Sequence, residues 1–215
     1  MLHPDSWPIR FLTRVCDLLF LNIALVLCCC TVVLSGAAVT ALYTVTLKIV
    51  REQYCDPLKD FFRALRENFL PSSCAAVLLL VNVTLIATLR EVLYAETLLV
   101  SPLVFVLLSI AAVLLTALLS YLFPLLARFE NSFSNHLGNA ARLALANLPV
   151  TFLITVVNLL PLLICVLIPA ALGAVFAFWF LLGFAAEAWV NSFYLNRIFE
   201  GREGGRRRTR LPRPL

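Results

Sequence analysis

Glu187 lies between Trp179 and Trp189 in a long apolar stretch, and Asn191 follows it four residues later. On a helix that spacing is about one turn, so a carboxyl and a carboxamide share one face. A carboxylate surrounded by hydrocarbon is costly. One that is retained there contacts an ion, a proton or a polar solute, or else it hydrogen-bonds inside a helix bundle or sits near a helix end beside Arg197. The residue types leave these readings open, and Glu187 with Asn191 is the candidate polar intramembrane site. Asp17, Asn22, Asn82 and Asn158 are further polar groups in apolar surroundings. Individually they serve as glue between helices, at roughly 0.6 to 2 kcal/mol each, and they form a conducting path only if their helices meet.

A second constellation is the string Tyr121-Leu122-Phe123-Pro124-Leu125-Leu126-Ala127-Arg128-Phe129-Glu130. Pro124 has no N–H to offer the carbonyl of Ser120 and crowds the preceding turn, so a kink is expected just before the helix end. Arg128 and Glu130 then mark the water boundary, where an arginine snorkels. Pro124 and Arg128 are the candidate hinge or interface.

Enzyme chemistry is not expected. His3 and His136 are separated by most of the chain, and no serine or cysteine has a recognisable base at useful spacing. Nucleotide loops, paired metal-binding histidines and the dinucleotide fingerprint are all missing from the sequence, so neither a cofactor nor a metal is expected. Cys28, Cys29 and Cys30 point about 100° apart on a helix and cannot close on one metal. Cys16, Cys55, Cys74 and Cys165 stand alone, without the spacing of a metal site, and read as small hydrophobic packers.

These groups must be positioned by membrane helices. The chain of 215 residues is 62% hydrophobic and 13% charged, against roughly 25% charged in an ordinary soluble domain. Charges are missing from residues 18–47, 68–89, 97–127 and 143–186. About 20 helical residues cross a bilayer core, so the last run holds two crossings, divided near Pro169. A break near Ser35 and Gly36 divides the first run as well, with Ala37 to Val50 a short second crossing. The expected fold is therefore all-α: a polytopic transmembrane helical bundle of six crossings, five if the first run is a single tilted helix. The apolar run after Arg10 and Arg14 is too long for a cleavable signal and reads as retained.

Of the 17 Lys and Arg residues, Arg90 alone falls in the connection that also carries Glu91 and Glu96. The positive-inside rule places that connection outside and both termini in the cytoplasm. Residues 1–200 form one membrane domain. The stretch from 201 to 215, with arginines among Gly201, Gly204, Gly205, Pro212 and Pro214, reads as a flexible cytoplasmic tail that meets anionic lipid. No aromatic reading element accompanies it, so nucleic acid is not expected.

Two connections on the basic side look ordered. Asp56 caps and Pro57 opens a helix in which Leu58, Phe61, Phe62, Leu65 and Phe69 share a face while Lys59, Asp60 and Arg63 look elsewhere. Phe61, Phe62, Arg63, Arg66 and Phe69 are the candidate partner-binding or interfacial residues. A second helix after Ser134 or Asn135 groups Leu137, Ala140, Ala141 and Ala144. Both read as cytoplasmic interfacial helices. Each ends in related punctuation, Asn68-Phe69-Leu70-Pro71 and Asn147-Leu148-Pro149, which an internal duplication would leave and which Asn and Pro at interfacial helix starts also produce independently.

The strings Ala41-Leu42-Tyr43 with Lys48, Asp60-Phe61-Phe62-Arg63 with Glu67-Asn68-Phe69, Tyr121 to Glu130, Asn139-Ala140, Leu148-Pro149 and Asn191-Ser192-Phe193 together resemble the YesL-like family of small bacterial integral membrane proteins. The resemblance covers approximately Phe11 to Phe199. It implies a bacterial plasma-membrane protein often encoded beside carbohydrate-uptake transporter components, whose subunits are its candidate partners, and beside sensor-regulator systems, with no settled biochemical activity and no catalytic residues to carry over. The expected function is an accessory or assembly component of carbohydrate uptake, and the alternative is a stand-alone permease for a small polar solute.

Overall fold

The computed structural model describes the backbone of residues 7–94 and 102–210 and the side chains of residues 12–93 and 102–201. Its elements are α1 (Trp7–Cys29), α2 (Val32–Val50), α3 (Pro57–Glu67), α4 (Phe69–Tyr94), α5 (Pro102–Arg128), α6 (Phe133–Ala146) and α7 (Leu148–Leu167), then a 3₁₀ turn at Pro169–Ala171, α8 (Leu172–Phe178), a π turn at Trp179–Gly183, and α9 (Phe184–Arg210). The described residues contain no strand. Among the described residues, six segments are long and apolar enough to cross a bilayer, and the sixth runs from Pro169 to Gly201. The chain is thus an all-α multi-pass membrane bundle. Because successive crossings reverse direction, α3 and α6 share one end of the bundle with the start of α1 and the end of α9. The segment 95–101, which holds most of the expected external loop, lies outside the described residues; Arg90 and Glu91 are in the last turns of α4 and pair at 2.8 Å.

The division of the first apolar run differs from the expectation. The chain breaks at Cys30 and Thr31, so α2 has 19 residues and is a full crossing. Thr31 adopts an extended conformation and its hydroxyl donates to the carbonyl of Cys28 at 2.8 Å, satisfying a helix-end acceptor locally. Ser35 and Gly36 stay helical, with the Ser35 hydroxyl donating to Val32 O at 2.7 Å. The glycine serves closeness between helices: a Cβ on Gly36 would lie 2.3 Å from the carbonyl oxygen of Ser72 on α4. A small residue at a membrane-helix contact lets two backbones approach where lipid supplies no hydrophobic drive.

That approach makes α2 the central helix. Within the spans, 61% of α2 is buried, against at most 28% of any other. Gly36, Ala37, Ala38, Thr40 and Ala41 are all buried, and because neighbouring helical residues point about 100° apart, this part of α2 is enclosed on several sides. Leu27, Leu114, Phe152 and Phe176 point outward from the other helices, as lipid-facing side chains should. Hydroxyl pairs lace the interior: Thr40 with Ser72 at 2.9 Å joins α2 to α4, Thr46 with Ser192 at 2.9 Å joins α2 to α9, and Tyr121 with Thr151 at 2.9 Å joins α5 to α7. The Asn82 amide donates to the Thr116 hydroxyl at 3.0 Å between α4 and α5.

The two amphipathic helices end alike. Asn68 and Asn147 each send both a backbone N–H and a side-chain nitrogen back to the carbonyl four residues earlier, on Ala64 and Leu143. Four residues further on, Ser72 and Thr151 donate backbone N–H groups to the Asn carbonyls. Their side chains reach the helix that precedes the amphipathic one, at Thr40 and Tyr121. The units α2-α3-α4 and α5-α6-α7 therefore repeat one topology in the same sense across the bundle.

Two expected helix boundaries and faces need correction. α6 starts at Phe133, earlier than Ser134 or Asn135, with Ser132 at the N-cap position and no side-chain cap bond; just before it, Asn131 Oδ1 accepts from Ser132 N and from Asn135 Nδ2, both at 2.9 Å. The deepest face of α6 is His136, Ala140 and Leu143, a one-turn spacing that seats the helix on α5, with Leu137 and Ala144 at its margin. At the other terminus, α9 continues to Arg210, so residues 201–210 are helical where open chain was expected. Arginine is a good helix former, and Gly201, Gly204 and Gly205 lower helix propensity without forbidding it.

Candidate functional site

Several polar groups scattered through the sequence, Glu187, Asn191 and Asn158 among them, converge from four helices. Ser120 is eight residues before the end of α5, and Asn158 is ten residues after the start of α7. At 1.5 Å per residue these positions lie roughly 12 and 15 Å from the α3–α6 end, near the middle of a ~30 Å hydrocarbon core. Glu187 and Asn191 reach the same place from α9. Tyr43 of α2, which is buried, interacts there with Asn191.

Asn158 is the hub. Its two side-chain amide atoms lie 2.7 Å from Glu187 Oε1 and 2.6 Å from Ser120 Oγ, and the Asn191 amide lies 2.6 Å from it. The direction of an amide is assigned from its partners. With an ionised Glu187 the satisfied assignment turns Nδ2 toward the carboxylate and lets Oδ1 accept from the Ser120 hydroxyl. Trp179 contributes the second donor, its indole Nε1 lying 3.3 Å from Glu187 Oε2. Both carboxylate oxygens thus face N–H groups, and among the described residues no salt bridge reaches Glu187.

Trp179 is placed by the π turn. Wider turns of this kind strip backbone groups of their usual partners and concentrate at functional sites. Asn22 of α1, completely buried, supplies replacements: its Nδ2 donates to the carbonyls of Trp179 at 3.0 Å and Phe180 at 2.7 Å, and its Oδ1 accepts from Ala185 N at 2.9 Å. Gly183 makes room for the indole, since a Cβ there would meet Trp179 Cγ at 2.6 Å. The sequence singled out Glu187, Asn191, Asn22 and Asn158, but Trp179, Ser120 and Gly183 entered only through the fold. A tryptophan four residues before a glycine was the one available signal, and many such pairs do nothing.

Pro124 and Arg128 belong to a different place. α5 runs through Pro124 to Arg128, and Pro124 is buried. Arg128, rather than reaching into water alone, donates to Asn196 Oδ1 on α9 at 3.0 Å and stacks on Phe129 and Phe199 at 5.6 and 5.3 Å. Asn196 in turn donates to Glu200 at 2.9 Å. A planar cation suits this combination of fork and stack, which ties α5 to α9 at the end of the bundle.

On α3 the expected common face divides. Asp56 caps the helix and Pro57 opens it; the hydrogen bonds from the Lys59 side chain and backbone hold the Asp56 carboxyl below its usual range. Phe61 is fully buried, whereas Phe62 is 53% and Leu58 38% exposed. Neighbouring helical residues point about 100° apart, so the stripe of Phe61 and Ala64 that packs inward turns Phe62 out. Phe69 is half-buried at the first position of α4. Lys48 of α2 clamps the helix through Asp60 at 3.1 Å, and Arg63 reaches the same carboxylate at 3.5 Å. Phe62, Arg63, Arg66 and Glu67 line a shallow open cleft on the outer face.

Among the described residues, no three His, Cys, Asp or Glu side chains group as metal ligands. No curated protein and no solved structure matches the chain. The family described as "Protein of unknown function, DUF624" matches residues 18–89, which is α1 from Leu18 through most of α4, including Asn22, Gly36, Tyr43 and the whole of α3.

Proposed function

We propose that this chain is a YesL-like accessory or assembly subunit of a bacterial membrane transport system, acting in carbohydrate uptake, with α3 as its cytoplasmic contact. The observation that carries the reading is the division of α3. Phe61 and the Lys48–Asp60 pair hold the helix rigidly on α2, and Phe62, Arg63 and Arg66 stand outward as an aromatic and cationic face. A helix whose anchor and display are separate presents a contact surface without ordering it anew on binding. The matched family region contains this whole unit. The orientation follows from charge: of the sixteen Lys and Arg residues among the described residues, fifteen, all but Arg90, lie toward the end bearing α3 and α6, which the positive-inside rule assigns to the cytoplasm. Arginines after Gly201 suit the anionic headgroups of that leaflet. Quantitative recovery of transporter subunits from native membranes tests the reading. Phe62→Glu with Arg63→Glu lowers partner yield at matched abundance of the inserted protein, and an unchanged yield rejects α3 as the main contact.

A second reading, a permease for a small polar solute, is favoured by one feature, the Glu187–Asn158–Asn191 centre near mid-membrane. Solute flux through vesicles containing only the purified chain would establish it over the accessory role.

A further inference from the structure

The centre around Asn158 admits two alternative hydrogen-bond schemes on one set of heavy atoms. In the first, Asn158 Nδ2 donates to Glu187 Oε1 at 2.7 Å and Asn158 Oδ1 accepts from the Ser120 hydroxyl at 2.6 Å. Its amide nitrogen would then face the Asn191 nitrogen at 2.6 Å, so Asn191 must turn as well and present its Oδ1. That oxygen is buried without a partner when the amide points the other way. In the second scheme, Asn158 Nδ2 donates to Ser120 Oγ at 2.6 Å, the Ser120 hydroxyl donates a hydrogen bond to the Thr116 carbonyl at 2.7 Å, and Asn191 Nδ2 donates to Asn158 Oδ1 at 2.6 Å. Here Asn158 Oδ1 faces Glu187 Oε1, and two acceptors at hydrogen-bond distance repel unless a proton lies between them.

We propose that Glu187 is a proton-binding site read by Asn158, the ionised carboxylate selecting the first scheme and the protonated carboxyl the second. The chemistry is one O–H bond: a proton from bulk water joins Glu187 Oε1, the charge of the centre changes from −1 to neutral, and release reverses it. Oε1–H becomes the donor to Asn158 Oδ1, so the Asn158 amide turns over, Asn191 follows, and Ser120 exchanges an acceptor on α7 for the backbone carbonyl of its own helix. Side-chain amides rotate in a broad two-fold well, so the exchange needs no movement of a helix. The state of a carboxyl on α9 is thereby written into bonds on α5 and α7.

The surroundings favour a proton over a metal cation. Cation sites converge oxygens, whereas Glu187 Oε1 and Oε2 meet the nitrogens of Asn158 and Trp179 in the ionised scheme. The groups facing Glu187 are Tyr43 from α2, Asn158 from α7 and Trp179 from the π turn. Tyr43 is the titratable one, and no Lys, Arg or His interacts with Glu187 among the described residues. A carboxylate without a neutralising cation in hydrocarbon takes up a proton at the least cost. This inference is independent of the accessory role of α3, since neither site shares a residue with the other.

Infrared difference spectroscopy of the full chain in lipid vesicles, titrated between about pH 5 and about pH 10, tests it. The expected spectrum contains a carboxyl C=O band that appears on protonation, together with a side-chain amide C=O change of the same midpoint. Both are lost in Glu187→Gln, while Asn158→Leu keeps the carboxyl band and loses the amide change. A spectrum in which wild type and Glu187→Gln titrate identically overturns the proposal, and so does an amide signal that ignores the carboxyl midpoint. Should Glu187→Gln fail to fold, Glu187→Asp replaces it: a carboxyl band displaced in frequency supports the assignment, and an unmoved one overturns it.

Discussion

Asn22 donates from its side-chain nitrogen to the carbonyl of Trp179 at 3.0 Å, so a residue near the middle of α1 secures the first residue of a π turn 157 positions later. The same amide also serves Phe180 and Ala185. The consequence is that the placement of the Trp179 indole, and through it one oxygen of Glu187, depends on α1.

Asn22→Leu should therefore cost more than one ordinary interhelical hydrogen bond. It leaves two carbonyls of the π turn and the Ala185 N–H at the start of α9 without their partner, and a loss of about 2 to 4 kcal/mol is expected. Thermal unfolding in mild detergent measures it, and Trp179 emission should change together with the melting temperature. A variant as stable as wild type would show that water or a shifted backbone replaces the amide.

Gly36→Leu should separate α2 from α4. Even Gly36→Ala places a Cβ 2.3 Å from Ser72 O, and the obstacle is backbone and cannot swing aside. Overpacking at such a contact costs about 1 to 3 kcal/mol, and the Thr40–Ser72 bond beside it should be lost too. Melting temperature checks the first effect, and cross-linking of cysteine pairs placed on α2 and α4 checks the second.

The neighbours Phe61 and Phe62 should behave oppositely. Phe61→Ala removes a fully buried ring and is expected to destabilise by about 3 to 5 kcal/mol. Phe62→Ala, at an exposed position, should change stability by less than about 1 kcal/mol while lowering recovery of a partner. Equal losses of stability in the two variants would contradict the division of α3 into anchor and display.

His136 predicts a pH dependence outside the spans. Its ring is 2% exposed with Nδ1 unpartnered, and burial pushes its pKa below the ordinary 6.5. A neutral folded form binds fewer protons than the unfolded chain, so its contribution to stability is full above pH 6.5 and is lost as pH falls from there through the lower folded value. His136→Phe should flatten that part of the stability profile, as read from melting temperature against pH. An unchanged slope would assign the dependence to another group.

The orientation is open to labelling in intact cells. Single cysteines introduced at His3 and Arg213 in a chain otherwise free of cysteine should be protected from an impermeant reagent, and one at Glu91 should be labelled. Protection at Glu91 would reverse the assignment of the two ends, and labelling at His3 alone would overturn the shared location of the termini.

Hydropathy alone determined that this chain crosses a membrane, because runs without charge of 22 to 44 residues have no other stable solvent. The capping of α3 by Asp56 and Pro57 was equally legible, since capping uses atoms within a few residues of one another. The six-crossing arrangement followed from length and charge, but the site of the first break did not. Ser35 and Gly36 resemble a break in one dimension, and only the approach of α4 shows that Gly36 is needed inside a helix. Periodicity likewise placed Phe61 and Phe62 on one broad apolar face, and the narrow contact with α2 decided which ring enters. Glu187, Asn191, Asn22 and Asn158 stood out as polar groups in hydrocarbon. That Ser120, Asn158 and Glu187 meet while Asn82 finds Thr116 instead was settled by helix packing, because a hydrogen bond needs atoms within about 3 Å and sequence separations of 29 to 67 residues carry no record of that distance.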